Sequence, residues 1–148
     1  MDLKLGEKTA LVTGSTAGIG LAIAQSLAAE GARVWINGRT PERVEGAAAA
    51  IRKAVQGAQV EGIVADFSSG AGSQQVTKQL DRVDILVNNV GIFDPKPFAE
   101  IPDDDWQRFF EVNVMSGVRL SRHYVKGMLD QNWGRIIFIS SESTPLRA

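Results

Sequence analysis

The sequence contains no cysteine and one histidine, His123, in its 148 residues. Without thiols there is no disulfide, no thiolate nucleophile and no thiolate metal site. A zinc centre resting on one imidazole would need carboxylates for its other ligands, so no metal site is expected. Tyrosine is equally scarce, with Tyr124 alone. Neither sign of charge predominates, since 16 Lys and Arg stand against 17 Asp and Glu for a formal net charge of −1. Phosphate neutralisation needs clustered basic residues, and no basic block exists, so nucleic acid is not expected as a partner. No apolar run reaches the roughly 18 residues of a membrane helix, and no membrane association is expected. The opening Met1-Asp2-Leu3-Lys4-Leu5-Gly6-Glu7-Lys8 is charged and lacks the apolar centre of a secretory signal. A cytoplasmic location is the expectation.

What is present suits a globular chain: 44% hydrophobic and 22% charged residues exclude a disordered polymer. The length fits one domain with a sizeable core, expected to span residues 1–148 with no repeat, linker or second domain. Short β-rich runs alternate with longer helical ones, the mark of a parallel sheet covered by helices. Thr9 to Thr13 reads as strand one, followed by a helix from Gly18 to Gly31 with Ile19, Ile23 and Leu27 on one stripe. Arg33 to Asn37 is strand two. The next helix opens with Thr40 as cap and Pro41 at the first helical position, and Gly57 closes it. Val60 to Ala65 is strand three, Ser69 to Gln79 a polar helix, and Val83 to Asn88 strand four. After a loop holding Pro95, Pro97 and Pro102, Asp103-Asp104-Asp105 places negative charge at the start of a long helix ending near Gln131. Trp106, Phe109, Phe110, Val114, Val118, Val125 and Leu129 surround that helix, which predicts burial on more than one side. Arg135 to Ser140 is strand five. Five strands with helical crossovers predict a doubly wound α/β domain with strand order 3-2-1-4-5 and helices on both faces.

Between strand one and its helix lies Thr13-Gly14-Ser15-Thr16-Ala17-Gly18-Ile19-Gly20. Such a turn lets backbone approach a pyrophosphate, and the helix start offers it free amides. Gly14 is expected to permit the turn, Gly18 the close approach and Gly20 the packing of helix on sheet. Further motifs follow in order. Asp66 comes just after strand three, Asn88-Asn89-Val90-Gly91 ends strand four, Asn113 sits within the long helix, and Ile139-Ser140-Ser141 ends strand five. Together these residues resemble the short-chain dehydrogenase/reductase family, over essentially the whole chain to about Ser143. Val90 is a mild departure from the family's alanine.

The resemblance implies an oxidoreductase moving hydride between a nicotinamide dinucleotide and a carbonyl or alcohol. It implies cofactor contacts from Gly14, Ser15, Thr16, Gly18, Ile19, Gly20, Asp66, Asn89 and Gly91. It implies catalytic roles for Ser141, polarising the substrate oxygen, and for Asn113, supporting a water relay. It also implies a Tyr-x-x-x-Lys pair beyond the serine, which these residues do not contain. Tyr124 does not replace it, because Met128 stands where the lysine would be. The tail Thr144-Pro145-Leu146-Arg147-Ala148 lacks the glycine usual after the serine. The expectation is therefore a C-terminally incomplete domain with little or no turnover of its own. That domain would pair with another copy through strand five or the long helix.

Dinucleotide folds that bind NAD place an acid on the adenosine ribose at the end of strand two. Here Gly38 takes that place and Arg39 follows it. An acid would repel a ribose phosphate, whereas a guanidinium pairs with one, so NADP(H) is expected over NAD(H). Plainer readings stay open beside these. Asp66 can cap the next turn, Asn88 and Asn89 can be strand-end turn formers, Arg39 a solvated charge, and His123 a helix-surface residue. Ile92, Phe93 and Phe98 form either an apolar wall or part of the core. A non-catalytic dinucleotide-binding or self-associating module is the alternative function. A methyltransferase would leave the Asn-Asn and Ile-Ser-Ser motifs as coincidences, and a hydrolase lacks its Gly-x-Ser-x-Gly elbow.

Overall fold

In the computed structural model, which describes residues 3–141, five parallel strands form one sheet in the order β3-β2-β1-β4-β5. The strands are β1 (Thr9–Val12), β2 (Arg33–Gly38), β3 (Val60–Val64), β4 (Ile85–Asn88) and β5 (Arg135–Phe138). The helices are α1 (Gly18–Ala29), α2 (Pro41–Ala54), α3 (Gly70–Gln79), α4 (Asp103–Phe110) and α5 (Ser116–Asp130). The expected doubly wound order is the observed one. No helix among the described residues is long and apolar enough to cross a membrane.

Alternating side chains divide the core in two. Ala10, Val12, Val34, Ile36, Ile85 and Val87 face one way, against Ala24 and Ala28 of α1 and Val44, Ala48 and Ile51 of α2. Leu11, Ile63 and Leu86 face the other way, against Val76 of α3 and Leu120, Tyr124 and Met128 of α5. Strands buried on both faces read as unbroken apolar runs, which is why these runs stand out in the sequence. Local chemistry sets the ends of α2: Thr40 Oγ1 accepts from Arg43 N at 3.4 Å, and Gly57 lies beyond it at φ +77°.

Two expectations about helices are corrected. The buried face of α1 is Gly20, Ala24 and Ala28, with Ile19 64% exposed. Small residues at intervals of four let the helix lie close to the sheet, and Ile23 and Leu27 pack at its flank. The long helix is likewise not buried on several sides. Val112, Ser116, Leu120, Tyr124 and Met128 form its one buried face, while Trp106, Phe110, Val114, Val125 and Leu129 are exposed. It also carries a wide turn, with π-type bonding over Glu111–Met115 joining α4 to α5 without a break in helical backbone. The tail from Thr144 to Ala148 lies outside the described residues.

Candidate functional site

The C-terminal ends of β1, β2, β3 and β4 open onto a cleft of about 370 Å³. This is the end of a doubly wound sheet where ligands bind. Gly14, Thr16 and Ala17 form one wall, Gly38, Arg39 and Arg43 a second, Asp66 and Ser68 a third, and Asn89, Gly91 and Ile92 the last.

Buried polar side chains behind the cleft hold its floor. Asn37, the penultimate residue of β2, is 1% exposed. Its Oδ1 accepts from Gly14 N at 3.0 Å, and its Nδ2 donates to Ile63 O and Ala65 O at 3.2 Å each. Ser15 completes the knot, donating from Oγ to Val12 O at 2.6 Å and accepting from Asn37 N at 2.9 Å. Ser15 N donates to Asn37 O as well. Ser15 is fully buried, with its hydroxyl and amide both bonded inward behind the cleft. Thr13 ties β1 to β4, with Oγ1 accepting from Asn89 N and Val90 N at 3.0 Å each.

Gly14 and Gly18 adopt φ +59° and +57°, the left-handed region that favours glycine. Gly20 is tight for another reason: a Cβ there would stand 2.6 Å from Gly14 O and 2.9 Å from Ser15 Cα. It packs the start of α1 on the turn itself. Asn89 occupies the same spot, donating from Nδ2 to Thr13 O and Gly14 O at 3.0 Å each. Ala17 stands at the N-cap of α1 without a side-chain cap, and the first turn holds no acidic residue. Free first-turn amides with no competing anion leave that helix end receptive to phosphate. Gly18, Ile19 and Gly20 sit at this mouth but outside the cleft lining.

Asp66 lines the cleft, and its Oδ1 also accepts from Ser68 N at 2.9 Å, the contact of a turn cap. A Cβ on Gly72 would overlap Asp66 O, so only a glycine lets α3 begin this close to it. Arg43 is a cleft residue that the sequence motifs do not single out. Its signal is helical geometry, because the first turn of α2 folds back beside Arg39.

Asn113 lies in the wide turn, and its amide clasps the loop after β4. Oδ1 accepts from Ile92 N at 2.7 Å and Nδ2 donates to Ile92 O at 3.0 Å. With both ends bound to Ile92, this side chain positions the Gly91–Ile92 wall. Ile92 meets the cleft, but Phe93 and Phe98 are 87% and 82% exposed and belong to no core. Lys96 bonds Asp105 at 2.5 Å, which raises the lysine pKa and lowers that of the carboxyl, fastening this loop to α4. Ser141 is exposed, three residues past β5, and is not among the cleft-lining residues.

Tyr124 is far from this chemistry. Its hydroxyl donates to Leu80 O at 2.7 Å in the core between α3 and α5, and burial holds its pKa well above the usual phenol range. His123 rests edge-on against that ring, with Nε2 3.1 Å from Asp81 O, as a helix-surface residue. Among the described residues no group of His, Cys, Asp and Glu is placed to hold a metal ion.

The short chain dehydrogenase family description matches residues 8–147. An uncharacterized oxidoreductase of Bacillus subtilis, YvaG, is 50% identical over 143 residues, covering 97% of this chain and 54% of the relative. The 3-oxoacyl-[acyl-carrier-protein] reductase of Aquifex aeolicus is 38% identical over 95% of this chain and 58% of its own length. L-sorbose reductase from Gluconobacter frateurii, solved in complex with NADPH and L-sorbose, superposes with a TM-score of 0.88 at 36% identity, over 96% of this chain and 55% of that one. The chain thus spans little more than half the length of these relatives. With a shared fold, a glycine turn at the sheet's switch point and this sequence likeness, the chain belongs to the short-chain dehydrogenase/reductase family of oxidoreductases.

Proposed function

We propose that this chain is the dinucleotide-binding part of an NADP(H)-dependent oxidoreductase acting on a carbonyl or alcohol. One observation carries the choice of dinucleotide: where β2 and α2 line the cleft they bring two guanidinium groups, Arg39 and Arg43, and no carboxylate. A ribose phosphate pairs with guanidinium and is repelled by carboxylate. The L-sorbose reductase bound to NADPH supports this by likeness. The rest of the site fits such a molecule: the Thr16–Gly20 amides suit its pyrophosphate, Asp66 its adenine, and Asn89 and Gly91 its nicotinamide half. When bound, the nicotinamide supplies the hydride. Ser141 is assigned to the substrate oxygen, and Asn113 acts as a positioning residue for Ile92. Family membership weighs against the purely non-catalytic module.

Titration by nucleotide fluorescence tests the reading. Arg39→Ala should weaken NADPH about tenfold, roughly 1.4 kcal/mol, and leave NADH within about a factor of two, because the lost pairing is to the phosphate alone. Equal wild-type affinities for NADH and NADPH, unaltered by the substitution, would sink it. Within these 148 residues the one tyrosine is walled into the core, so we assign no turnover to them alone.

We also propose self-association. Phe110, Val114, Val125 and Leu129 expose apolar side chains on one side of the long helix, and Phe138 of β5 is exposed on the sheet face that α5 covers. A second copy is the occupant proposed for this face. Sedimentation at micromolar concentration should show a dimer or larger species, shifting toward monomer in Leu129→Lys; a wild-type monomer throughout overturns it.

A further inference from the structure

Any side chain at position 38 would meet crowding from the glycine turn and from α2. A Cβ built on Gly38 would overlap Thr16 Cγ2 and stand 3.0 Å from Val44 Cγ2. Thr16 lines the cleft from the glycine turn, and Val44 reaches up from α2, 5% exposed. Val44 has nowhere to retreat. Its other methyl, Cγ1, fills the space over Gly62 on the neighbouring strand, where a Cβ would also overlap it. A β-branched side chain in a helix has essentially one χ1 rotamer, so this wedge between two glycines of paired strands is stiff. Of the two obstacles at position 38, only the Thr16 methyl belongs to a half-buried side chain on the cleft surface.

We infer that Thr16 is a specificity-determining residue for the dinucleotide, acting jointly with Gly38. Its methyl occupies the volume through which an acidic side chain at the end of β2 would emerge, so the turn itself keeps that wall free of negative charge. Cofactor preference is then a two-residue property: a carboxylate reaches the ribose hydroxyls only when position 16 is smaller. Thr16→Ala leaves its Cβ 3.6 Å from the new Cβ, an ordinary contact. This inference rests on the NADP(H) reading of the arginine wall.

The test is a pair of double-mutant cycles. In the first, thermal unfolding is followed for Gly38→Ala, Thr16→Ala and the double variant. Gly38→Ala should lower Tm by about 3–8 °C, the usual consequence of overpacking, and adding Thr16→Ala should restore at least half of that loss. A Gly38→Ala variant as stable as wild type overturns the packing argument, and with it the inference. The second cycle measures NADH and NADPH affinity with Gly38→Asp in place of Gly38→Ala. Gly38→Asp alone should weaken both dinucleotides, whereas Thr16→Ala/Gly38→Asp should bind NADH about tenfold more tightly than the single variant while NADPH stays weak. NADH affinities of single and double variants within about a factor of two overturn the inference. Failure of the underlying reading looks different: the wild type itself would bind NADH and NADPH equally, with the thermal coupling of Thr16 and Gly38 intact.

Discussion

Asn37→Ala should lose about 3–5 kcal/mol of stability, a large part of the roughly 5–15 kcal/mol that a folded domain possesses. The side chain contributes no apolar packing that alanine could keep, so the cost lies in hydrogen bonds. Removal leaves Gly14 N–H without its acceptor, and Ile63 O and Ala65 O without their donor. Each buried polar group left unpaired costs about 1–3 kcal/mol. Entering water can recover part of this at the Gly14 end, which borders the cleft, and little at Ile63, which is fully buried. Asn37→Leu should fare no better, since it adds volume without restoring a bond. Urea unfolding followed by circular dichroism measures the loss; a change under about 1 kcal/mol would mean the knot of Ser15, Asn37 and Gly14 is not what holds the three strand ends together.

That knot marks the boundary of what the amino-acid order discloses. Apolar runs and glycine punctuation are local, so the alternation of strands and helices, the strand order and the glycine turn are all readable. Asn37 reads locally as an ordinary strand-end residue. Its importance depends on parallel register across strands, with Val12 beside Ile36 and Asn37 beside Ile63, which no single segment carries. The inward bonds of Ser15 are hidden for the same reason, because which way a hydroxyl points in a turn is decided by the neighbouring strand. Arg43 escapes the motifs because the acid position ends at Gly38 and Arg39, whereas α2 returns its first turn to the cleft. The apolar girdle of the long helix reads as buried because a pattern shows which residues avoid water, not which surface covers them. The wide turn at Asn113 has no local signature either; the clasp on Ile92 is visible only in three dimensions.

Gly20→Ala should weaken dinucleotide binding on the order of a hundredfold while barely touching the rest of α1. Two effects oppose each other here. Alanine is the better helix former by about 1 kcal/mol, and at an open position that preference wins. Gly46 of α2, where an added methyl would meet nothing within 4 Å, should gain about 0.5–1 kcal/mol on substitution by alanine. At Gly20 the new methyl would instead overlap Asn89 Nδ2 and crowd Gly14 O at 2.6 Å and Ser15 Cα at 2.9 Å. Two of those three neighbours are backbone, which cannot rotate aside, and the third is the amide that secures Thr13 O and Gly14 O. The turn must therefore shift as a unit, carrying Thr16 and the first-turn amides away from the cleft. A displacement of that kind should lower NADPH affinity on the order of a hundredfold, about 2.7 kcal/mol, with a stability loss of about 1–3 kcal/mol from overpacking. Calorimetric titration beside the Gly46→Ala control separates the two effects. Should Gly20→Ala bind NADPH as tightly as the control does, the glycine turn is not the element that receives the pyrophosphate.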